Sequence, residues 1–123
     1  MPEPIKTLIV DDEEDLIMML QLNLECKGFT VQSATNGKDG IKLAQSFQPD
    51  VIVLDIMMPG MDGWEVCAAL QADPQTNNIP IVFLTASKES ELQEKAQKLG
   101  TEIMFKPYEM DEIIDLLKKQ TQK

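Results

Sequence analysis

Five short apolar runs alternate with helix-like segments along this chain, and this alternation restricts the possible folds more than any other feature of the sequence. The runs are Leu8–Val10, Phe29–Ser33, Val51–Leu54, Ile81–Leu84 and Ile103–Phe105. The third and fourth are almost entirely aliphatic, which is typical of strands covered on both faces. Strands that alternate with helices form parallel sheets through right-handed crossovers. We therefore predict an α/β fold in three layers, with a doubly wound five-stranded parallel sheet of the flavodoxin-like strand order 2-1-3-4-5.

The segments between the runs carry signals for the ends of helices. Asn36 can cap the second helix, and Asp62 followed by Glu65 has the spacing of a capping box at the start of the third. Gly28 and Gly100 follow the first and fourth helical patterns, where a left-handed cap is expected. In the predicted strand order, the first and fifth helices cover one face of the sheet and the other three cover the opposite face. The first helix is expected to bury a stripe formed by Leu16, Leu20 and Leu24.

Length and charge narrow the class of protein. The 123 residues fit a single domain, 1–123, with a core from 5 to 119. The net charge of −10 repels phosphate backbones and anionic lipid, so direct binding to nucleic acid or to a membrane is disfavoured. Histidine is absent, which excludes histidine-based catalytic triads, imidazole metal sites and a histidine phospho-acceptor within these residues.

The two cysteines are too few for a disulfide framework or a four-thiolate zinc site. In the predicted fold Cys26 and Cys67 lie on opposite sides of the sheet, so we expect free thiols. The sequence begins without the basic and apolar stretches of a secretory signal, and no apolar run approaches the roughly 20 residues of a membrane span. These features indicate a soluble, cytoplasmic protein.

Polar residues follow the central strands at the points where the strands end. Asp11 and Asp12 come after the first run, Asp55 after the third, Thr85 after the fourth and Lys106 after the fifth. In a parallel sheet these ends lie along one edge, where ligands bind at the switch in strand order. The predicted topology therefore gathers all five side chains into one pocket.

Three carboxylates in one pocket would repel each other, since a pair of unit charges 4 Å apart costs about 4 kcal/mol at an effective dielectric of 20. Either one carboxyl group takes up a proton or a cation binds. Mg²⁺ suits such oxygen ligands, and an aspartate is a competent nucleophile toward phosphorus. Asp55 is the best candidate acceptor, because it ends a central strand and precedes a turn-rich loop.

Four ordered segments resemble the receiver domain of two-component response regulators, in particular the chemotaxis-type single-domain receiver. They are Asp11–Asp12, Leu54–Gly63, Thr85–Ala86 and Lys106–Pro107, and the resemblance extends from Ile5 to Lys119. It implies a phosphorylation-dependent signalling switch rather than an enzyme with an external substrate. The implied partners are a sensor histidine kinase or a phosphotransfer protein upstream, and a downstream protein or output domain.

The resemblance also assigns roles to the residues of the pocket. Asp55 would accept the phosphoryl group, and the backbone carbonyl of Met57 would join the three carboxylates in holding Mg²⁺. Lys106 would pair with the phosphoryl oxygens, and the hydroxyl of Thr85 would swing towards them. The peptide bond between Lys106 and Pro107 would be cis.

One position departs from the family. Many receivers carry an aromatic residue three positions before the lysine, but here that residue is Ile103. We therefore expect the signal to pass through a smaller shift of the loop from Thr85 to Ser87 and of the helix that it starts. In the family, the positions of Met57 and Ser87 tune the lifetime of the phosphoryl group. The usual meeting surface, formed by the fourth helix, fifth strand and fifth helix, has mixed charge here: Lys88, Glu91, Lys95, Lys98 and Glu102.

Two other functions remain open: a degenerate receiver that serves only as a protein-interaction module, and a flavin-binding carrier of the same architecture. The second is disfavoured because the acidic segment from Asp11 to Glu14 would repel a flavin phosphate. The chain is expected to be either a stand-alone receiver or part of a longer regulator.

The methionine pairs Met18–Met19 and Met57–Met58 are expected to fill the core. The tail from Gln120 to Lys123 is expected to be frayed.

Overall fold

The fold consists of five strands that alternate with five helices. A computed structural model describes residues 4–86 and 90–121. The strands are β1 (Lys6–Val10), β2 (Thr30–Ala34), β3 (Val51–Asp55), β4 (Ile81–Thr85) and β5 (Glu102–Phe105). The helices are α1 (Glu14–Cys26), α2 (Gly37–Phe47), α3 (Gly63–Ala72), α4 (Ser90–Lys98) and α5 (Met110–Thr121).

The strands form one parallel sheet in the order β2-β1-β3-β4-β5, which confirms the predicted topology. β3 lies at the centre, and all five of its residues are buried. β2 and β5 form the edges and are more exposed, and β2 is also less apolar in sequence. The register brings the ends of β1 and β3 together, because Val10 pairs with Leu54.

Each face of the sheet has its own hydrophobic core. Ile9 and Val53 point towards α1 and α5, where they pack with Leu20 and Leu117. The alternate residues of the same strands, such as Leu54, point to the opposite core with α2, α3 and α4. The predicted distribution of helices between the two faces is therefore confirmed.

The predicted helix ends are present. The side chain of Asn36 accepts a hydrogen bond at the start of α2, and Asp62 forms a reciprocal capping box with Glu65 at the start of α3. Gly28 and Gly100 adopt φ angles of 91° and 73°, which favour glycine after a helix.

Three details of the sequence interpretation were wrong. The buried stripe of α1 contains Ile17 rather than Leu16, because the helix turns the residues 17, 20 and 24 towards the sheet. Met18, Met19 and Met57 are exposed, so of the four methionines only Met58 fills the core. Gln120 and Thr121 belong to α5 rather than to a frayed tail, of which Gln122 and Lys123 lie outside the described residues.

The cysteines lie on opposite faces of the sheet, as predicted, and both are free. Cys26 is exposed at the end of α1, whereas Cys67 is buried in α3, where burial raises the pKa of its thiol. Among residues 4–86 and 90–121, no helix is both long enough and apolar enough to cross a membrane.

Candidate functional site

The polar residues predicted to meet do lie at one edge of the sheet, beyond the carboxyl ends of the strands. Asp11 follows β1 directly, and its backbone N–H donates to Ala34 at the end of β2. Asp55 is the last residue of β3 and pairs in register with Leu84, the residue before Thr85. The site is therefore built from the ends of neighbouring strands.

Three carboxylates form the centre of the site. Carboxylate oxygens of Asp11, Asp12 and Asp55 all lie within 4.8 Å of one another. Asp11 and Asp55 are only 1% and 5% exposed, whereas Asp12 faces solvent. The cluster thus has two buried members and one member at its mouth.

Local hydrogen bonds orient the two buried carboxylates. The backbone N–H of Glu13 donates to Oδ1 of Asp11 at 2.9 Å, and that of Met57 donates to Oδ1 of Asp55 at 3.3 Å. Both bonds come from the residue two positions later, a pattern common for aspartate at the start of a turn. The backbone of the loops after β1 and β3 therefore fixes the orientation of the two buried carboxylates.

Lys106 supplies the positive charge of the site. Its Nζ atom lies 3.5 Å from Oδ2 of Asp11 and 3.9 Å from Oδ1 of Asp55. The backbone N–H of Lys106 donates to the carbonyl of Thr85 at 2.8 Å, which ties the end of β5 to the end of β4. The next peptide bond, to Pro107, is cis, as the resemblance implied.

One lysine does not balance the carboxylates. The pKa of Asp55 is raised from 3.8 to about 6, mainly because burial disfavours its charged form and secondly because Asp11 repels it, while Lys106 acts in the opposite direction. The pKa of Asp11 is also raised, again chiefly by burial. The buried pair therefore carries negative charge that a bound cation would relieve.

The donor set fits a hard divalent cation. Its side-chain donors are all carboxylate oxygens, and Mg²⁺ is typically bound through one or two carboxylates together with water and phosphate oxygens. Soft metals are disfavoured because no thiol takes part, since Cys67 lies in the core and Cys26 at the far end of α1. The short distances and the raised pKa of Asp55 together make this the best candidate metal site in the described residues.

The remaining predicted residues surround the cluster. Thr85 is fully buried at the end of β4. Met57 lies in the loop after β3, and its side chain is 69% exposed. Ile103, at the position where the family often has an aromatic residue, packs half-buried against the core that contains α3 and α4. Ser87 and Lys88 lie outside the described residues.

Gly63 also shapes the site, although the sequence interpretation gave it no role. Its backbone N–H donates to the carbonyl of Ile56 at 2.9 Å. A Cβ atom at position 63 would lie 2.5 Å from the carbonyl oxygen of Asp55 and 2.8 Å from Cα of Ile56. Only glycine lets α3 approach the end of β3 this closely, and a helix-initial glycine could have suggested such an approach.

Replacing Gly63 by alanine is expected to weaken Mg²⁺ binding about 10- to 100-fold, as is typical when the support of a metal ligand is disturbed. The added methyl group meets backbone atoms of Asp55 and Ile56, so the end of β3 must shift and carry the carboxylate with it. Isothermal titration with Mg²⁺ on the folded variant measures the change.

Gly37→Ala is the matched control. A Cβ atom at position 37 would lie 2.6 Å from Val66 and 2.9 Å from Met61, and both are contacts with side chains rather than with the backbone of β3. We expect this variant to lose stability but to keep the Mg²⁺ affinity of the wild type. Equal affinities for the Gly63 and Gly37 variants would show that Gly63 does not position Asp55.

Comparison with known proteins decides the family. The family model described as "Response regulator receiver domain" matches residues 7–118. The chain belongs to the response regulator receiver domains. This receiver therefore comes from the class of two-component signalling proteins, and its flavodoxin-like fold is the one found in its structural neighbours.

Among curated relatives, the receiver is 37% identical over 112 residues to the DNA-binding dual master transcriptional regulator RpaA of Synechocystis, covering 89% of this chain and 46% of the relative. It is 41% identical over 109 residues to the alkaline phosphatase synthesis transcriptional regulatory protein PhoP of Bacillus subtilis, covering 88% and 45%. The receiver thus spans less than half the length of these two relatives.

Among solved structures, the chemotaxis protein CheY4 of Vibrio cholerae superposes with a TM-score of 0.88 at 29% identity. The match covers 94% of this chain and 98% of that one. Receivers of this fold therefore occur both as parts of longer regulators and in a solved chain of nearly the same length.

Proposed function

We propose that this receiver is a Mg²⁺-dependent phosphorylation switch, with Asp55 as the residue that takes the phosphoryl group from a histidine kinase or a phosphotransfer protein. The observation that carries the proposal is the buried position of Asp55 between Asp11 and Lys106 at the carboxyl edge of the sheet. Phosphorylation would change the affinity for a downstream protein or output domain.

In the proposed reaction an oxygen of the Asp55 carboxylate attacks the phosphorus of the donor. The bond between phosphorus and the donor's imidazole nitrogen breaks, its electron pair leaves with the imidazole, and an acyl phosphate forms on Asp55. Water later attacks the acyl phosphate and restores the carboxylate, with release of inorganic phosphate. The chain thus acts on itself and is not a classical enzyme.

The neighbours of Asp55 stabilise the charge in this transfer. Asp11, Asp12 and Asp55 with the backbone carbonyl of Met57 would hold Mg²⁺, which supplies positive charge next to the transferring phosphoryl group when bound. Lys106 would move from its carboxylate contacts to the phosphoryl oxygens, and the Thr85 hydroxyl would donate a further hydrogen bond. Catalysis of phosphoryl transfer consists largely of such positioning and charge stabilisation.

A degenerate receiver that only binds partners is the second candidate. It is less well supported, because each acidic, hydroxyl and lysine position of the family motif is filled in this chain. A flavin-binding carrier is weaker still, since the carboxylates stand where a phosphate-binding loop would be needed. We also propose a cytoplasmic location, where the kinases that supply such receivers present their phosphohistidine.

Incubation with a small-molecule phosphoryl donor such as acetyl phosphate tests the proposal. With Mg²⁺ we expect the intact mass to rise by a single phosphoryl group, and with a chelator in excess we expect no gain. Peptide mapping after reductive trapping of the acyl phosphate should place the modification at Asp55. A gain that is independent of Mg²⁺, or that maps to another residue, would contradict the proposal.

A further inference from the structure

Trp64 of α3 contacts residues of two other elements, β4 and α4. It is the single tryptophan of the chain and lies half-buried in the first turn of α3. Its ring centroid is 4.6 Å from that of Phe83 in β4, and Nζ of Lys95 in α4 lies 4.5 Å from the same ring. The indole therefore touches both the sheet and α4.

α4 has few other anchors. Within Ser90–Lys98 only Ala96 is buried, and apart from Leu92 the remaining residues are polar. Leu92 is half-buried and lines a cleft with Trp64, and Lys95 covers the indole face. A cation over an aromatic face is attracted by the ring quadrupole, and tryptophan is the best partner for it. Trp64 is thus one of the contacts of a helix that buries few of its own side chains.

The same cleft reaches the loop that follows Asp55. It has a volume of about 490 Å³, and its lining includes Met57, Met58 and Pro59 as well as Trp64 and Leu92. The backbone of Met57 donates to Asp55, and its side chain forms part of the cleft wall. A change at the carboxylate that shifts Met57 therefore alters the space between the loop and α4.

We propose that Trp64 and Lys95 transmit the state of Asp55 to α4, through the cleft between the loop 56–59 and that helix. The inference rests on the proposed function, because a phosphoryl group on Asp55 supplies the change that is transmitted. Residue 103 of β5 is isoleucine in this chain, and the aromatic residue that contacts α4 is instead Trp64 of α3. Two states of α4 follow, one with Lys95 seated over the indole and one with this contact altered.

Tryptophan fluorescence and hydrogen exchange of the whole chain test this inference. Loading with Mg²⁺ and beryllofluoride, a mimic of the phosphoryl group, is expected to change Trp64 emission and the amide exchange of residues 90–98. In Lys95→Ala both responses should fall about 2-fold or more, because the contact between α4 and the indole is lost. Lys98→Ala removes the same charge and side chain from the same helix and should respond like the wild type.

Intact mass measured on the same three proteins separates this inference from the proposed function. We expect all three to accept one phosphoryl group from acetyl phosphate to the same extent. If they accept it but Lys95→Ala and Lys98→Ala give equal emission and exchange responses, the inference is overturned and the proposed function stands. If the wild type accepts no phosphoryl group, both are overturned.

Discussion

Asp55→Asn is expected to lose phosphoryl uptake from acetyl phosphate by more than about 100-fold, the scale typical of removing the nucleophile of a covalent reaction. The asparagine amide is nearly the same size as the carboxylate, so the loop from Ile56 to Gly63 can keep its position. What disappears is the nucleophilic oxygen. Intact mass in the presence of saturating Mg²⁺ measures the effect.

Two carboxylate variants provide the controls. Asp12→Asn removes a member of the cluster at its exposed mouth, so it should need more Mg²⁺ but still accept a phosphoryl group. Asp15→Asn makes the same change in charge on the exposed first turn of α1 and should behave like the wild type. Phosphoryl uptake that persists in the Asp55 variant would mean that another residue is the acceptor.

The second large effect is a loss of stability with rising pH in the metal-free protein. The pKa of Asp55 is about 6 in the folded protein, against an ordinary value of 3.8. Between these values the folded chain holds a proton that the unfolded chain has released, so the free energy of unfolding falls as the pH rises. A pKa rise of this size corresponds to about 3 kcal/mol, a penalty absent below about pH 4 and fully present above about pH 7.

Denaturant unfolding in the presence of a chelator, from pH 4 to pH 8, measures this penalty. The quantity to compare is the difference between the wild type and Asp55→Asn at each pH, because contributions that the two proteins share cancel in this difference. We expect this difference to fall by about 3 kcal/mol across the window. Histidine is absent from the chain, so no imidazole titration overlaps with the effect.

Mg²⁺ should reverse the loss at neutral pH. At a concentration 100 times the dissociation constant, a ligand that binds only the folded state adds about 2.7 kcal/mol. We expect a gain on this scale for the wild type at pH 7 and a much smaller one for Asp55→Asn. If the difference in unfolding free energy between the wild type and Asp55→Asn is the same at pH 4 and pH 7, the surroundings of Asp55 do not raise its pKa.

The carboxylate cluster could be predicted from the sequence because parallel sheets bring the ends of their strands to one edge. Asp11, Asp55 and Lys106 are far apart along the chain, yet each directly follows or ends an apolar run. Once the alternation of strands and helices had predicted the topology, their meeting followed from geometry alone.

Other features depend on packing that a sequence pattern does not contain. The exposure of Met18 and Met19 could not be predicted, because an apolar residue on a helix gives no sign of whether another element covers it. The close approach of Gly63 to Asp55 and the seat of Lys95 over Trp64 depend on how two elements lie against each other in three dimensions. Local propensity carries little information about such distances.

Because the groups of the site lie at the ends of the strands or in the loops directly after them, the chemistry of this molecule and its choice of partners can evolve separately. Exposed positions on the flanks of the helices tolerate replacement at little cost to folding, usually within about 0.5 kcal/mol. Substitutions can therefore accumulate at those exposed helix positions and change the partners of a receiver, while the acidic pocket stays the same. The architecture suits duplication followed by divergence, since a copied gene starts with working chemistry and needs only new surfaces.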